Sequence, residues 1–315
     1  MKMKNKCLFC YGKLNENETD FHRACSAKIF GTRKNPIIDF NSGDLEKLAA
    51  NAINRSLAIP GVQKKLSLEL EKSRKGSRLT IVGVMGNYIL KPSTKDYFEL
   101  PENEDLTMHL AAIAGIETAK HSLIKFHNGE IAYITKRFDR HGSEKISVED
   151  MNQISGNLTS DKYMGSVEKV AKLIQNLCTH NMLEVIKFYR LIVFSFLTGN
   201  SDMHLKNYSL IKDNEGHVKL SPAYDLLSTK LALPKDKEDS ALTINGKKRN
   251  LRLNDFFVAA ETMRISEKVR DKILFDLKNK IPVMMMFIEK SFLSEKSKSD
   301  YTKIVSDKAK ILKIL

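Results

Sequence analysis

Nine residues, Gly199-Asn-Ser-Asp-Met-His-Leu-Lys-Asn207, set a carboxylate and a carboxamide five positions apart at Asp202 and Asn207. They directly follow an almost wholly apolar run, so they read as a polar loop held against a core. An aspartate so placed can accept or orient the proton of an attacking hydroxyl. An asparagine carbonyl at this spacing can reach a metal ion that bridges phosphates. Eighteen residues after Asn207 comes Asp225, in Ser221-Pro-Ala-Tyr-Asp-Leu-Leu, just past an expected strand. Mg²⁺ takes hard oxygen ligands and keeps several waters, so one Asp and one Asn are enough to hold it. Either aspartate alone is more often a turn or capping residue. The whole series points to phosphoryl transfer: apolar helix, Asp-x-x-x-x-Asn loop, two strands, second Asp.

Groups suited to the phosphates lie upstream. In Tyr88-Ile-Leu-Lys-Pro92 a lysine, Lys91, ends an apolar strand. A phosphate-pairing lysine occupies such a strand end in kinases, oriented by a carboxylate on the next helix. Glu102 and Glu104 stand at the start of that helix; a lysine simply facing solvent is the equal alternative. The segment Pro60-Gly61-Val62-Gln63-Lys64-Lys65 precedes a strand and could fold over phosphates with backbone N–H groups and lysines. It has one glycine and no GxGxxG or Walker pattern, and by itself Pro-Gly is a turn. Lys136, Arg137 and Phe138, in the run to Arg140, follow a buried strand. They would suit a hinge where backbone groups pair with an adenine edge, or form an ordinary charged strand terminus.

Positioning these residues requires two kinds of architecture. Alternation predicts strands at 65–70, 79–84, 87–91 and 131–135, with helices at 44–55 and 103–114. From about residue 164 long helices take over, at 167–177 and 183–197, the second apolar on several faces and therefore central. Short strands are expected at 208–211 and 218–220, a charged loop at 230–250 and a helical tail from Leu253. Strands first and helices after predict an α+β chain, bilobed, with a small sheet-rich N-lobe and a larger helical C-lobe. The expected divisions are a Cys/His unit at 1–35, the N-lobe at 36–140 and the C-lobe at 141–315.

The 315 residues are 42% hydrophobic, enough for a substantial core, and no apolar run approaches a membrane span. The basic start lacks a secretory apolar stretch, so a soluble cytoplasmic protein is expected. A net charge of +14 favours polyanionic partners without choosing among them, and the lysines are spread along the chain. Three of the four cysteines fall within the first 25 residues. Cys7-x-x-Cys10 and His22-x-x-Cys25 form two close pairs, the spacing of a structural Zn²⁺ site; small buried residues or free thiols are the alternative.

Taken in order, PGVQKKLSL, YILKP, LPENEDLTMHLA, KRFDR, VEDMNQ, GNSDMHLKNYSL and LSPAYDLL resemble the HipA family of serine/threonine kinase toxins over roughly residues 58–230. The resemblance implies a protein-kinase-like fold, ATP and Mg²⁺ as cofactors, and Asp202 as the catalytic aspartate. It implies Asn207 and Asp225 as Mg²⁺ ligands, Lys91 on the phosphates and Pro60 to Lys65 as the phosphate loop. Lys136 to Phe138 would line the adenine site, with His204 and Tyr224 beside the nucleotide. The core begins near residue 57, which is similar to the short HipT branch. There the remaining subdomain is a separate HipS protein, a HipB antitoxin binds DNA, and the target is an aminoacyl-tRNA synthetase, the tryptophan enzyme. Relatives autophosphorylate a serine just before the glycine; here Ala58 and Pro60 take those positions and Ser56 is the nearest serine. Two other readings are a small-molecule phosphotransferase of similar architecture and a nucleic-acid-binding pseudokinase. The first predicts amine or sugar acceptors, and the second predicts salt-dependent DNA binding by this chain alone.

Overall fold

The computed structural model describes residues 5–38, 40–41, 65–73, 76–82, 86–141 and 144–315. The expected helix at 44–55, the loop from Pro60 to Lys64 and Ser56 lie outside the described residues. The chain forms two compact units. One comprises Met1–Asp105, Ala119–Ser143 and Lys290–Phe292, and the other comprises Leu106–Thr118, Glu144–Glu289 and Leu293–Leu315.

The first unit is built on a six-stranded sheet of β1 (Pro36–Ile38), β2 (Leu66–Lys72), β3 (Ser77–Ile81), β4 (Tyr88–Pro92), β5 (His121–Lys125) and β6 (Ile131–Lys136), in the order β1-β3-β2-β4-β6-β5. All pairings are antiparallel except β1 with β3. Alternation in β2 sets its register: Leu66 pairs with Leu90 and Leu68 with Tyr88, and all four are buried. Gly86 is required where the chain enters β4. A Cβ there would stand 2.5 Å from the Leu68 carbonyl oxygen, and the Gly86 N–H donates to Ser67 Oγ at 3.0 Å. Strand β3 runs from Ser77 to Ile81 rather than over the expected 79–84. Strands β1 and β5 were not expected: β1 is three residues long, and β5 (HSLIK) carries polar ends that break any alternation.

Helix Leu100–Ile113 starts earlier than the expected Asn103 because Pro101 is tolerated in a first turn, where no intrahelical N–H is needed. An N-terminal helix, Arg23–Phe30, closes on Gly31 in the left-handed conformation.

The second unit centres on helix Asn181–Leu197. Phe188, Tyr189, Val193, Phe194, Phe196 and Leu197 are all buried within it. Its Tyr189 hydroxyl donates to the Phe256 carbonyl at 3.0 Å, and the Phe196 and Phe256 rings lie 4.9 Å apart. Helix Val167–Leu177 is capped by Ser166, whose Oγ accepts from the Lys169 N–H at 3.2 Å. Strands Ser209–Lys212 and Val218–Leu220 form a small antiparallel sheet with Val148–Asp150, a strand that was not expected. Helix Thr229–Ala232 interrupts the expected 230–250 loop, with Ser228 as its cap. Helices Leu253–Thr262, Glu267–Lys290 and Glu295–Ile311 make up the helical tail. No helix among the described residues is long and apolar enough to cross a membrane.

Candidate active site

In the first unit, Lys91 is the fourth residue of β4 and pairs across the sheet with Tyr133. Its ammonium does not face solvent. The side chain is 5% exposed, and Nζ lies 2.5 Å from Glu104 Oε1, itself 2% exposed. The Tyr133 ring lies beneath the ammonium, 5.3 Å to its centroid. Of the two glutamates at the helix start, Glu104 is thus the partner. Glu102 is also buried, and its Oε2 has no hydrogen-bond partner among the described residues. Burial, with Glu99 and Asp105 nearby, pushes the Glu102 carboxyl up to about 7. Asp105, the residue after Glu104, accepts from the Tyr11 hydroxyl at 2.7 Å and lies 2.7 Å from His121 Nδ1.

Lys136 ends β6, and the following Arg137 N–H donates to the Asn87 carbonyl at 2.9 Å. The Arg137 guanidinium is committed to Asp139 through two bonds, of 2.8 and 2.6 Å, and Arg140 adds a third at 2.8 Å. Burial pushes the Asp139 carboxyl up, but the two guanidiniums outweigh it and hold the group below its ordinary value. The Arg137 guanidinium is therefore already neutralised by a carboxylate. Phe138 lies between these residues and is half-buried; Lys65 immediately precedes β2.

In the second unit, the polar loop leaves helix Asn181–Leu197 through Gly199, at φ 67°. A Cβ at Gly199 would meet Ile304 and Lys230 side-chain carbons at 2.9 Å, so both its backbone angle and its neighbours demand glycine. Ser201 anchors the loop: its N–H and Oγ both lie 2.7 Å from Thr229 Oγ1, and its Oγ donates to Asp236 at 2.7 Å. Asn200 Oδ1 accepts from the Asp202 N–H at 3.1 Å. Asn207 Nδ2 donates to the Asp202 carbonyl at 2.9 Å, which leaves Oδ1 as the amide's acceptor. The loop thus fixes Asp202 and Asn207 relative to each other through backbone as well as spacing.

Tyr224 hydrogen-bonds Ser209 Oγ at 2.6 Å and donates to the Lys206 carbonyl at 2.8 Å, tying the segment before Asp225 to the end of the loop. Asp225 itself has φ 59°, a left-handed conformation that Asp tolerates better than most residues. His204 is buried, and among the described residues neither its Nδ1 nor Asn200 Nδ2 has a hydrogen-bond partner. Burial pulls the His204 imidazole below its ordinary value, against the opposing pull of the Asp202 and Asp225 carboxylates. Asp202, His204, Asn207, Tyr224 and Asp225 thus come together in one unit, while Lys91 and Lys136 to Phe138 lie in the other.

One neighbour of Asp202 was not visible in the sequence. The Tyr163 hydroxyl donates to Asp202 Oδ1 at 2.8 Å, and the Tyr163 ring meets His204 edge-on at 5.1 Å. Thirty-nine positions separate the two hydrogen-bonded residues, and nothing in the run Asp161-Lys-Tyr-Met-Gly165 marks the tyrosine out.

Comparisons with known proteins bear on the family and the fold. A family model described as the HipA-like C-terminal domain matches residues 57–284. A Sinorhizobium fredii protein named "Putative kinase Y4dM" and a Haemophilus influenzae protein named "Putative kinase" are 34% and 33% identical over 70% and 55% of this chain. Those alignments cover 56% and 53% of the relatives, so the chain spans about half the length of the curated relatives it matches. The Shewanella oneidensis protein named serine/threonine-protein kinase toxin HipA is 28% identical over 55% of this chain and 43% of its own length. Among solved structures, S. oneidensis HipA, in a complex with HipB and operator DNA, superposes with a TM-score of 0.67 at 19% identity, covering 85% of this chain and 71% of that one. The Helicobacter pylori proinflammatory kinase CtkA superposes with a TM-score of 0.54 at 18% identity, covering 78% and 94%. The α+β architecture is accordingly that of HipA and related kinases. With a family model spanning well over half of its residues, the chain belongs to the HipA family.

Proposed function

We propose that this chain is an ATP-dependent serine/threonine protein kinase acting as the toxin of a HipBST-like toxin–antitoxin system. The reading rests on two constellations, each set within its own unit. One is the Lys91–Glu104 ion pair, and the other is the Asp202–Asn207 loop with Asp225 beyond it.

The donor set fits Mg²⁺. The Asn207 amide has its nitrogen committed to the Asp202 carbonyl, so an oxygen remains for a hard cation, and Asp225 supplies a carboxylate. When bound, Mg²⁺ would neutralise phosphate charge. Asn207 and Asp225 would hold it, and Lys91, held in place by Glu104, would pair with phosphate oxygens. Asp202 would accept the proton of the acceptor hydroxyl as that oxygen bonds to the γ-phosphorus and the bond to the ADP oxygen breaks. The Tyr163 hydroxyl now on Asp202 Oδ1 occupies the position which that proton would take. The phosphate loop from Pro60 to Lys65, the adenine contacts of Lys136, Arg137 and Phe138, the places of His204 and Tyr224 beside the nucleotide, and modification of Ser56 belong to the same reading.

By analogy with the HipT branch, the target is an aminoacyl-tRNA synthetase, the tryptophan enzyme, whose phosphorylation would block translation in the cytoplasm. HipS-like and HipB-like proteins would be the partners, with DNA engaged only through the latter. Labelled ATP added to a cell lysate with wild type or Asp202→Asn tests the proposal. A labelled protein band near the size of a tRNA synthetase, absent with the variant, is expected. Transfer to amines or sugars with no protein labelled would replace it with a small-molecule phosphotransferase.

A further inference from the structure

Far from the catalytic loop in sequence, Cys7, Cys10, His22 and Cys25 place one ligand atom each within 4.8 Å of every other. The local fold brings this about. The Lys6 and Lys13 backbones form an antiparallel bridge, the Cys7 N–H donates to the Gly12 carbonyl at 2.8 Å, and the Tyr11 N–H donates to the Cys7 carbonyl at 2.9 Å. Tyr11 takes the left-handed conformation, φ 60°, that closes this turn. The result is a knuckle carrying two thiols. The second pair sits at the start of helix Arg23–Phe30, with His22 as its N-cap residue and Cys25 in its first turn.

The histidine is oriented for a ligand. His22 Nε2 lies 2.9 Å from the Lys13 carbonyl oxygen, which can only accept. Nε2 therefore carries the proton, and the lone pair of Nδ1 is directed at the sulfurs, 3.3 Å from Cys10 Sγ and 3.7 Å from Cys25 Sγ. Zn–S near 2.3 Å and Zn–N near 2.0–2.1 Å at a tetrahedral angle put neighbouring S and N atoms roughly 3.5 Å apart. The two distances bracket that value. Cys7 Sγ also accepts from the His22 backbone N–H at 3.5 Å, an outer contact of the kind that stabilises a metal-bound thiolate. The cysteines form no disulfide.

We propose that these four residues bind one Zn²⁺ in a closed, structural site that holds the N-terminal segment against the edge of the sheet. All four positions are protein ligands, so no open position remains for substrate. The knuckle residues between the ligands do the holding. The Leu8 carbonyl accepts from the Leu123 N–H at 3.3 Å and from Ser122 Oγ at 3.1 Å on edge strand β5, while Tyr11 reaches Asp105. Lys125 of the same strand pairs with Asp20 at 2.8 Å. The inference does not depend on the kinase reading.

The test is elemental analysis of the purified full-length chain, prepared without chelators, beside Cys10→Ser, Cys25→Ser and the control Cys178→Ser. One zinc per chain in wild type and control, with loss from the two site variants, is expected. Cobalt substitution of the wild-type chain gives a second measurement that requires no variant to fold, with thiolate-to-cobalt charge transfer and tetrahedral d–d bands as the signature. Zinc below about one tenth per chain after refolding with Zn²⁺, with no cobalt thiolate bands, would overturn the proposal. So would a zinc content unchanged in both site variants.

Discussion

Glu104→Gln is the most informative single change in the first unit. It keeps the shape of the side chain and removes the carboxylate 2.5 Å from the Lys91 ammonium. Both side chains are at most 5% exposed, so solvent cannot take over the lost partner's role. Breaking such a buried pair from one side costs roughly 3–5 kcal/mol, whereas an exposed pair is worth about 1 kcal/mol or less. With a urea m-value of about 1–3 kcal/mol/M, the unfolding midpoint of this unit should fall by about 1 M or more. The chain has no tryptophan, so far-UV circular dichroism is the practical probe. Lys91→Met alone should cost a comparable amount. The double variant Lys91→Met/Glu104→Leu should recover most of the loss, because replacing both ions by apolar groups of similar volume is often close to neutral. If the double variant instead loses the sum of the effects of Lys91→Met and Glu104→Leu made singly, the residues are not energetically coupled and the reasoning fails.

Glu102→Gln should change the pH dependence of stability. The folded carboxyl sits at about 7, against an ordinary 4.5, so below pH 4.5 its contribution is fully present, and it is lost as pH rises through 7. At about 1.4 kcal/mol per pH unit the loss approaches roughly 3 kcal/mol, and Glu102→Gln should therefore gain on wild type between pH 5 and pH 8; parallel urea midpoints across that range would refute it. Tyr163→Phe should raise phosphate transfer several-fold by freeing Asp202 Oδ1, with a tenfold fall in turnover of a protein substrate as the contrary result. Asp225→Asn should keep the fold, since Asn tolerates the left-handed backbone at φ 59°, while abolishing Mg²⁺-dependent transfer; full activity in that variant would remove Asp225 from the site.

Much of the architecture was legible because local signals agreed. Ser166 and an apolar period delimit helix Val167–Leu177 to the residue, and the apolar run into Gly199 places the catalytic-loop candidate against the core. What could not be read depended on distant pairing. Strand β5 is held by β6 and by the Cys7–Gly12 turn rather than by its own alternation, and β1 exists through parallel pairing with β3. The choice of Glu104 over Glu102 turns on which side chain the helix aims at β4, and both lie near the start of the same helix. The Tyr163 hydroxyl and the Arg137–Asp139 clamp are likewise three-dimensional facts about residues whose types are unremarkable in loops.

Glu104 and Asp105 are neighbours in one helix but serve different partners, Lys91 on one side and Tyr11 with His121 on the other. Successive residues in an α-helix diverge by about 100° around its axis, so the two contacts act as guys on a mast, pulling from different quarters. A roll of the helix large enough to part Glu104 from Lys91 would also have to break the two bonds to Asp105. Because one of those comes from Tyr11 in the cysteine knuckle, the knuckle shares with strand β5 in setting the rotation of the lysine's partner.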